Sequence, residues 1–316
     1  MAGPILVTKG DGEQEPLDLD KLRRSLARSG AGEALVERVI ERVTARVDSG
    51  IPTDTLYGIA FRQLRKERRH IAARYSLKRS VMQLGPTGYP FERLIGALLE
   101  GDGWQVRISA RMTGSVTHEI DVAARRDHAG QERQLLVECK HRSQADAKVD
   151  VKTALYVSAR ARDLLGDLEG NPHQFWLATN GRFTQDAITY AASVHLGLLG
   201  WSYPDFRDGE EPPWSTMERA SLPPAPPAEL DLPRRNLAQR ITDALAFPIT
   251  CLTSLKQRHK ATLLEQQVVL CRELEARPAL IDALRLEHSQ ATELRRELYD
   301  LLHPMSLEPS PASRRI

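Results

Sequence analysis

The spacing of apolar residues organises the first 85 residues into a small hairpin followed by helices. Short extended stretches at residues 5–7 and 15–17 flank the turn residues Asp11-Gly12, and together they predict a β-hairpin. Beyond the hairpin, apolar residues recur at every third or fourth position, which is the spacing of an amphipathic helix. The expected helices cover about residues 18–29, 32–47 and 54–68, with a fourth that begins near residue 69. Thr53 is placed to cap the third of these helices.

From residue 86 to residue 205 the pattern changes to short, mostly apolar strands that alternate with helices. We expect helices near 89–101, 148–166 and 184–195, and strands near 103–110, 117–125, 134–141, 174–179 and 197–202. Helices that alternate with a mostly apolar sheet are typical of an α/β layer fold. The predicted fold class is therefore α/β, with a mixed central sheet flanked by helices.

The sequence predicts that the last third of the chain is a linker followed by helices. Seven prolines between residues 207 and 234 disfavour both helix and strand. We therefore expect domains at residues 1–85 and 86–205, a proline-rich linker at 206–234, a helical segment at 235–303 and a disordered tail at 304–316. Residues 247–274 of the helical segment resemble a helix-hairpin-helix DNA-binding module, but Glu265-Gln266-Gln267 stands where its central glycine is expected. We expect the segment to serve packing or dimerisation.

Composition limits the class of protein. Hydrophobic residues make up 41% of the 316 residues and charged residues 27%, which is ordinary for a soluble globular protein. No apolar run approaches the length of a membrane span, and the first residues lack the pattern of a secretory signal. The cysteines, Cys139, Cys251 and Cys271, show neither metal-ligand nor disulfide spacing. We expect a reduced, cytoplasmic protein without zinc and without a membrane partner.

The net charge of +2 is too small to indicate nucleic-acid binding, but the charges are unevenly distributed. Between Arg62 and Arg79 there are eight lysines and arginines and one acid, Glu67. Such a stretch could contact phosphates. A solvated helix face explains the same pattern equally well.

Charged residues within two apolar strands carry the candidate chemistry. Asp121 lies in one predicted strand, and Glu138 and Lys140 project from the same face of the next. If these strands are neighbours, two carboxylates and one ammonium converge, and two carboxylates can hold Mg²⁺. The ion would stabilise the charge that builds on a phosphodiester during hydrolysis, while the lysine orients the attacking water. The alternative is a strand-edge acid beside a solvated ion pair. The apolar strand favours the nuclease arrangement, because charges there need a partner or an ion.

The same residues resemble a known family. The spacing D-x(16)-E-x-K resembles the PD-(D/E)xK nuclease superfamily and, within it, the Mrr-like type IV restriction endonucleases. The resemblance covers roughly residues 88–203 and includes the helix of Glu92, which matches an acid that often joins the metal shell. It implies a restriction-endonuclease-like fold, DNA as substrate, a role in phage defence, and Mg²⁺ or Mn²⁺ held by Asp121, Glu138 and Glu92. Lys140 completes the catalytic set.

The first 85 residues resemble a second family, the ATP-cone, a regulatory nucleotide-binding domain. The residues that match its nucleotide contacts are Val7, Lys9, Lys21, Thr53, Lys78 and Arg79. The resemblance implies that ATP or dATP binds as an effector. Gly10 departs from the family, which usually has a second cation there. No phosphate-binding loop of the type G-x-x-x-x-G-K-[ST] is present, so hydrolysis of the nucleotide is not expected.

The sequence therefore predicts a Mg²⁺-dependent DNA endonuclease with an N-terminal nucleotide-sensing domain. One alternative is a non-catalytic, nucleotide-responsive DNA-binding regulator, and another is a nuclease that acts on RNA or branched DNA. Cutting of both strands by an enzyme with one site per chain implies two active sites. We therefore expect a homo-oligomer.

Overall fold

The structure, a computed structural model, describes residues 5–8, 12–47, 50–128, 130–144, 147–168, 171–205 and 233–304. Lys9, most of the proline-rich segment and the C-terminal tail lie outside the described residues. The described part divides into two compact units. The first comprises the residues up to Leu77, residues 251–262 and those from Cys271 onward, and the second comprises residues 78–250 and 263–270.

The first unit begins with a small sheet and four helices. Its strands, in the order β2-β1-β3, are β1 (Leu6–Thr8), β2 (Gln14–Pro16) and β3 (Ile51–Pro52), and β3 runs parallel to β1. The helices are α1 (Leu19–Arg28), α2 (Glu33–Thr44), α3 (Thr53–Glu67) and α4 (Arg69–Tyr75). Gly12, in the predicted turn, has a φ of 87°, a left-handed conformation that glycine adopts without strain.

Helical periodicity accounts for the core of this unit. Val39 and Val43 of α2 have no exposed surface, and they join Leu26 of α1 and Leu64 of α3 in one apolar cluster. Burial of each such side chain stabilises the fold by roughly 1.5–3 kcal/mol. The chain enters α1 through Asp18, whose side chain accepts a hydrogen bond from the backbone N–H of Lys21 at 2.8 Å.

The second unit is built on a five-stranded mixed sheet in the order β10-β8-β6-β5-β4. Its strands are β4 (Gln105–Thr113), β5 (Thr117–His128), β6 (Gln131–Lys140), β8 (Gln174–Thr179) and β10 (Gly197–Leu199). β4, β5 and β6 pair antiparallel, whereas β6, β8 and β10 pair parallel. A separate pair, β7 (Lys148–Val149) and β9 (Arg182–Phe183), is parallel.

Helices cover this sheet. α5 (Leu77–Met82) leads into the unit, α6 (Tyr89–Gly101) packs against β4 and β5, and α7 (Val151–Leu165) packs against β8 and against α8 (Gln185–Ser193). All six residues of β8 are buried. The result is the predicted α/β architecture with a mixed sheet.

The C-terminal segment consists of short helices and one longer helix. They are α9 (Leu237–Asp243), a 3-10 helix (Ile249–Cys251), α10 (Gln257–Glu265), α11 (Cys271–Glu275), α12 (Pro278–Ala283) and α13 (His288–Leu302). Among the described residues, no helix is long and apolar enough to cross a membrane.

Two local predictions were wrong. Thr53 is the first residue of α3 rather than its cap, and Pro52 occupies the cap position without a side-chain hydrogen bond. The stretch expected to begin a helix near residue 148 first forms β7, and α7 starts after its cap Asp150. The helix expected to begin near residue 69 is α4, which starts at Arg69 and is followed after Ser76 by α5.

Candidate active site

The site lies at a fork in the large sheet. The pairing of β5 with β6 ends at Val122 opposite Val137, one residue before Asp121 and Glu138 would face each other. Beyond that point β5 stays paired with β4, and β6 stays paired with β8 as far as Lys140. The Asp121 carboxylate lies at the point where β5 and β6 separate, and its Oδ2 accepts a hydrogen bond from the backbone N–H of Cys139 at 2.6 Å.

Glu138 is held between two cations. Its side chain is 5% exposed, its Oε1 lies 2.7 Å from Nζ of Lys140, and its Oε2 accepts from the guanidinium of Arg160 on α7. The same guanidinium donates to the backbone carbonyl of Glu119 and so also holds β5. A buried carboxylate is tolerated when it is paired in this way, because the cations offset its lost hydration.

Carboxylates crowd this end of the sheet. Burial raises the pKa of Asp121 to about 6, and repulsion from Glu138 adds to the effect, while the hydrogen bond from Cys139 opposes it. Burial also raises the pKa of Glu92 to about 7, with further contributions from the charges of Asp121, Glu119 and Glu138. A cation placed among these groups would relieve their mutual repulsion.

The donor set fits an ion held by two carboxylates. Within the described residues, no three His, Cys, Asp or Glu side chains gather closely enough to hold a metal ion. Mg²⁺ does not need three, because it usually keeps several waters and binds one or two carboxylates together with substrate phosphates. Asp121 and Glu138 are the two candidates, and Glu92 lies close enough to interact with both electrostatically.

Thr179, the last residue of β8, and Asn180, which follows it, hold the end of β6 at Lys140 and the backbone after it. The Thr179 hydroxyl donates to the carbonyl of Lys140 at 2.7 Å. The Asn180 side chain accepts from the backbone N–H of Arg142 and donates to its carbonyl, both at 2.7 Å. A Cβ on Gly181 would approach the carbonyl oxygen of Ala147 to 2.6 Å, so the chain passes closely here. These contacts fix the end of β6 that carries Lys140.

Sequence reasoning missed two residues of this site. Arg160 is 92% buried on the same face of α7 as Val157 and Ala161. A charged residue on the apolar face of a helix indicates a buried charge, and a buried charge requires a partner. Ser109 left no signal. It has a φ of 52° inside β4, beside the residues that pair with Ile120 and Val122, and it lies close enough to Glu92 to lower the pKa of that carboxyl. Strained backbone of this kind clusters at functional sites.

The residues expected to contact nucleotide lie on several elements. Val7 is buried in β1, and Thr53 follows β3, which pairs with β1. Lys21 is exposed in the first turn of α1. Lys78 and Arg79 lie on α5 and belong to the second unit.

Comparison with protein families defines the class of this chain. Residues 5–82 match the ATP cone domain, residues 86–201 match the restriction endonuclease domain of the Mrr catalytic type, and residues 247–302 match the AF1548-like C-terminal domain. The chain therefore joins a region that matches the ATP cone domain to a region that matches an Mrr-type restriction endonuclease domain, and the second region has a restriction-endonuclease-like fold. The match over residues 86–201 suggests a nuclease.

Individual relatives are more distant. An uncharacterized protein of Archaeoglobus fulgidus is 34% identical over 112 residues, which is 34% of this chain and 58% of that protein. The crystal structure of AF1548, a protein of unknown function, is similar to 68% of this chain and 98% of that chain at 23% identity, with a TM-score of 0.48. MspJI restriction endonuclease in complex with a 27-mer oligonucleotide is similar to 41% of this chain and 29% of that chain at 14% identity, with a TM-score of 0.30.

Proposed function

We propose that this protein is a Mg²⁺- or Mn²⁺-dependent DNA endonuclease of the restriction and phage-defence type, regulated by ATP or dATP. The observation that carries the proposal is the meeting of Asp121, Glu138 and Lys140 at the fork between β5 and β6. The match of residues 86–201 to a restriction endonuclease domain supports the same conclusion.

Each residue of the fork has a role in this proposal. Asp121 and Glu138 would hold the ion, with Glu92 assisting directly or through water. When bound, the ion would stabilise the charge that builds on the scissile phosphate. Lys140, held by its contact with Glu138, would position the attacking hydroxide. Arg160 would keep the Glu138 carboxylate in a single orientation through its ion pair.

A plasmid cleavage assay tests this proposal. Methylated and unmethylated supercoiled plasmids are incubated with the full chain in Mg²⁺, Mn²⁺ or EDTA, and nicked and linear products are quantified. We expect cutting with either metal and none in EDTA. Asp121→Ala and Lys140→Ala should each slow cutting by about 10² to 10⁴, the usual loss for removal of a group that handles protons or charge in the transition state. Cutting by Lys140→Ala at the wild-type rate would show that the assigned mechanism is wrong.

One observation favours a second candidate, a non-catalytic, nucleotide-responsive DNA-binding regulator. Lys140 and Arg160 already neutralise Glu138, and no metal-binding group of three acids is found among the residues that the structure describes. A regulator would bind a specific DNA sequence with the same affinity in EDTA and in Mg²⁺, and would cut none. The complete D…ExK set favours the nuclease, because a binding protein has no need of it.

The proposed regulation of the nuclease by nucleotide rests on the match of residues 5–82 to the ATP cone domain. Lys9 and Lys21 match phosphate-contacting positions on two separate elements, the hairpin and the first helix. A triphosphate held by both would draw these elements together. Such a ligand changes activity only if it prefers one of two states of the protein. ATP and dATP are accordingly proposed as effectors that bind without being hydrolysed.

A further inference from the structure

A cleft of about 730 Å³ lies within the first unit, whereas the nuclease fork belongs to the second. One wall is the C-terminal end of α3 with the start of α4, and the other wall is α13. Every described residue that lines it is polar or charged. We call it the basic cleft, and the family matches assign no role to it.

The α3 wall carries a stripe of uncompensated positive charge. Arg62, Arg65 and Lys66 are spaced by three and four residues, so they lie on one side of the helix, and all three are exposed. None of the three side chains forms an ion pair or hydrogen bond with another described residue. Exposed cations of this kind can meet an anion without the cost of burying an unpaired charge.

The four acids that line the cleft, Glu67, Glu293, Glu297 and Asp300, already have partners. Asp300 Oδ2 lies 3.7 Å from Nδ1 of His70 and 3.9 Å from Nε of Arg296. Glu67 accepts hydrogen bonds from Arg38 at 2.6 Å, and Glu293 forms an ion pair with Arg69. Glu297 is buried and accepts from the backbone N–H groups that precede α10, at 2.7 and 2.8 Å. The stripe on α3 therefore keeps its positive charge available to a ligand.

The opposite wall offers matching groups. Ser289, Thr292 and Arg296 follow one another along α13 at intervals of three and four residues, and all are exposed. Hydroxyl and guanidinium groups are among those that proteins use to contact phosphate oxygens and sugars. Both walls therefore present phosphate-binding chemistry to the same cleft.

We propose that the basic cleft binds the phosphodiester backbone of DNA, as a contact outside the nuclease domain. Arg62 to Lys66 span about 6 Å of helix, which is roughly the axial rise of two phosphates along one strand. Among the described residues, no Phe, Tyr or Trp lines the cleft for a base to stack on. Its cations repeat along a helix, so the cleft fits backbone rather than a free nucleotide. It also lies nine residues along α3 from Thr53, or about 13 Å, and is thus separate from the positions that match the nucleotide site. This inference depends on the proposed function in one respect only, which is that the polyanion is DNA.

The test measures DNA affinity of the full chain in EDTA. Binding of a fluorescent 30-bp duplex is followed by anisotropy across a series of salt concentrations. The cleft variant is Arg62→Gln/Arg65→Gln/Lys66→Gln. The matched control is Arg28→Gln/Arg42→Gln/Arg46→Gln, which removes three exposed cations of the same unit outside the cleft. Circular dichroism verifies that both variants are folded.

We expect the cleft variant to bind about 10- to 100-fold more weakly at low salt and to lower the slope of log affinity against log salt by about 2 to 3, since each neutralised phosphate contributes about 0.9. The control variant should stay within about threefold of wild type. Wild-type affinity in the cleft variant, or an equal loss in both variants, would overturn the proposal. Absence of cleavage in a parallel Mg²⁺ reaction would count against the nuclease and not against the cleft, because binding is measured without catalysis.

Discussion

At the scale of single residues, the ionisation of Asp121 opposes folding when no cation is bound. Its pKa is near 6 in the fold against 3.8 in the unfolded chain, so the folded state binds a proton that the unfolded state has released between these values. Stability therefore falls as pH rises from about 4 to 6 and stays at the lower level above that range. The pKa of Glu92 is raised to about 7, so its ionisation extends the pH range over which stability falls.

Asp121→Asn should therefore stabilise the metal-free protein at pH 7.5 by on the order of 1 kcal/mol, allowing for partial exposure to solvent. At pH 4.5 the gain should be smaller. The amide keeps an oxygen that can accept from the N–H of Cys139. Urea unfolding in EDTA at the two pH values measures the difference. A variant that is less stable than wild type at pH 7.5 would show that the carboxylate is not under electrostatic strain.

Arg160 provides a second test at this scale. Arg160→Met leaves the buried Glu138 carboxylate with one cation instead of two and removes the link to Glu119, so we expect a loss of about 2–4 kcal/mol. Arg162→Met is the control on the same helix, because its ion pair with Asp167 is exposed and contributes about 0.5 kcal/mol or less. Chemical denaturation compares them, and similar losses in both variants would contradict the account.

The sequence could indicate the two acids and the lysine because strand alternation places Glu138 and Lys140 on one face and Asp121 on an adjacent apolar strand. It could not indicate that Arg160 would reach them from a helix packed on the sheet. That contact depends on tertiary packing between α7 and the fork, and Arg160 lies 22 residues from Glu138 along the chain. The left-handed backbone of Ser109 is likewise set by its neighbours in the sheet.

At the scale of elements, the connection between β6 and β8 should matter for activity as well as stability. Asn180→Ala removes two buried hydrogen bonds to Arg142, and we expect about 1–3 kcal/mol of destabilisation together with at least a tenfold loss of cleavage rate, because Lys140 loses its support. Asn171→Ala is the control. It also loses hydrogen bonds, to the carbonyls of Leu165 and Asp167, at a loop outside the fork.

Stability and single-turnover cleavage of both asparagine variants are measured under conditions in which each is fully folded. We expect Asn171→Ala to lose stability and keep its rate. Equal rates in the two variants would mean that the clamp after β8 has no role in placing Lys140.

The predictions of helices and strands were wrong at short segments and at one helix end. Lys148–Val149 has only two residues, and it forms a strand because β9 lies beside it, which no local pattern shows. The cap of α3 was assigned to Thr53 on side-chain type, but the helix starts one residue earlier, after Pro52. The amphipathic helix α6 and the continuous apolar strand β8 have the boundaries that the sequence predicted.

At the scale of the whole molecule, nucleotide level should alter nuclease output. ATP or dATP at millimolar concentration should bind the full chain and change either the cleavage rate or the assembly size. Lys9→Ala/Lys21→Ala should abolish the effect, whereas Arg28→Ala, an exposed cation at the other end of α1, should not. Calorimetry and analytical ultracentrifugation provide the readouts. No heat of binding would mean that the ATP cone has lost its ligand, as Gly10 would allow.

The most direct test of the central claim compares two glutamates of the same strand. Glu138→Gln neutralises the proposed metal ligand at the fork, and Glu132→Gln makes the same change at an exposed position near the other end of β6. Single-turnover cleavage of plasmid in Mg²⁺ is measured for both folded variants. We expect Glu138→Gln to be at least about 10² slower than wild type, with Glu132→Gln within twofold of wild type. A Glu138→Gln variant that cuts as fast as the Glu132→Gln variant would contradict a metal-dependent nuclease site at this fork.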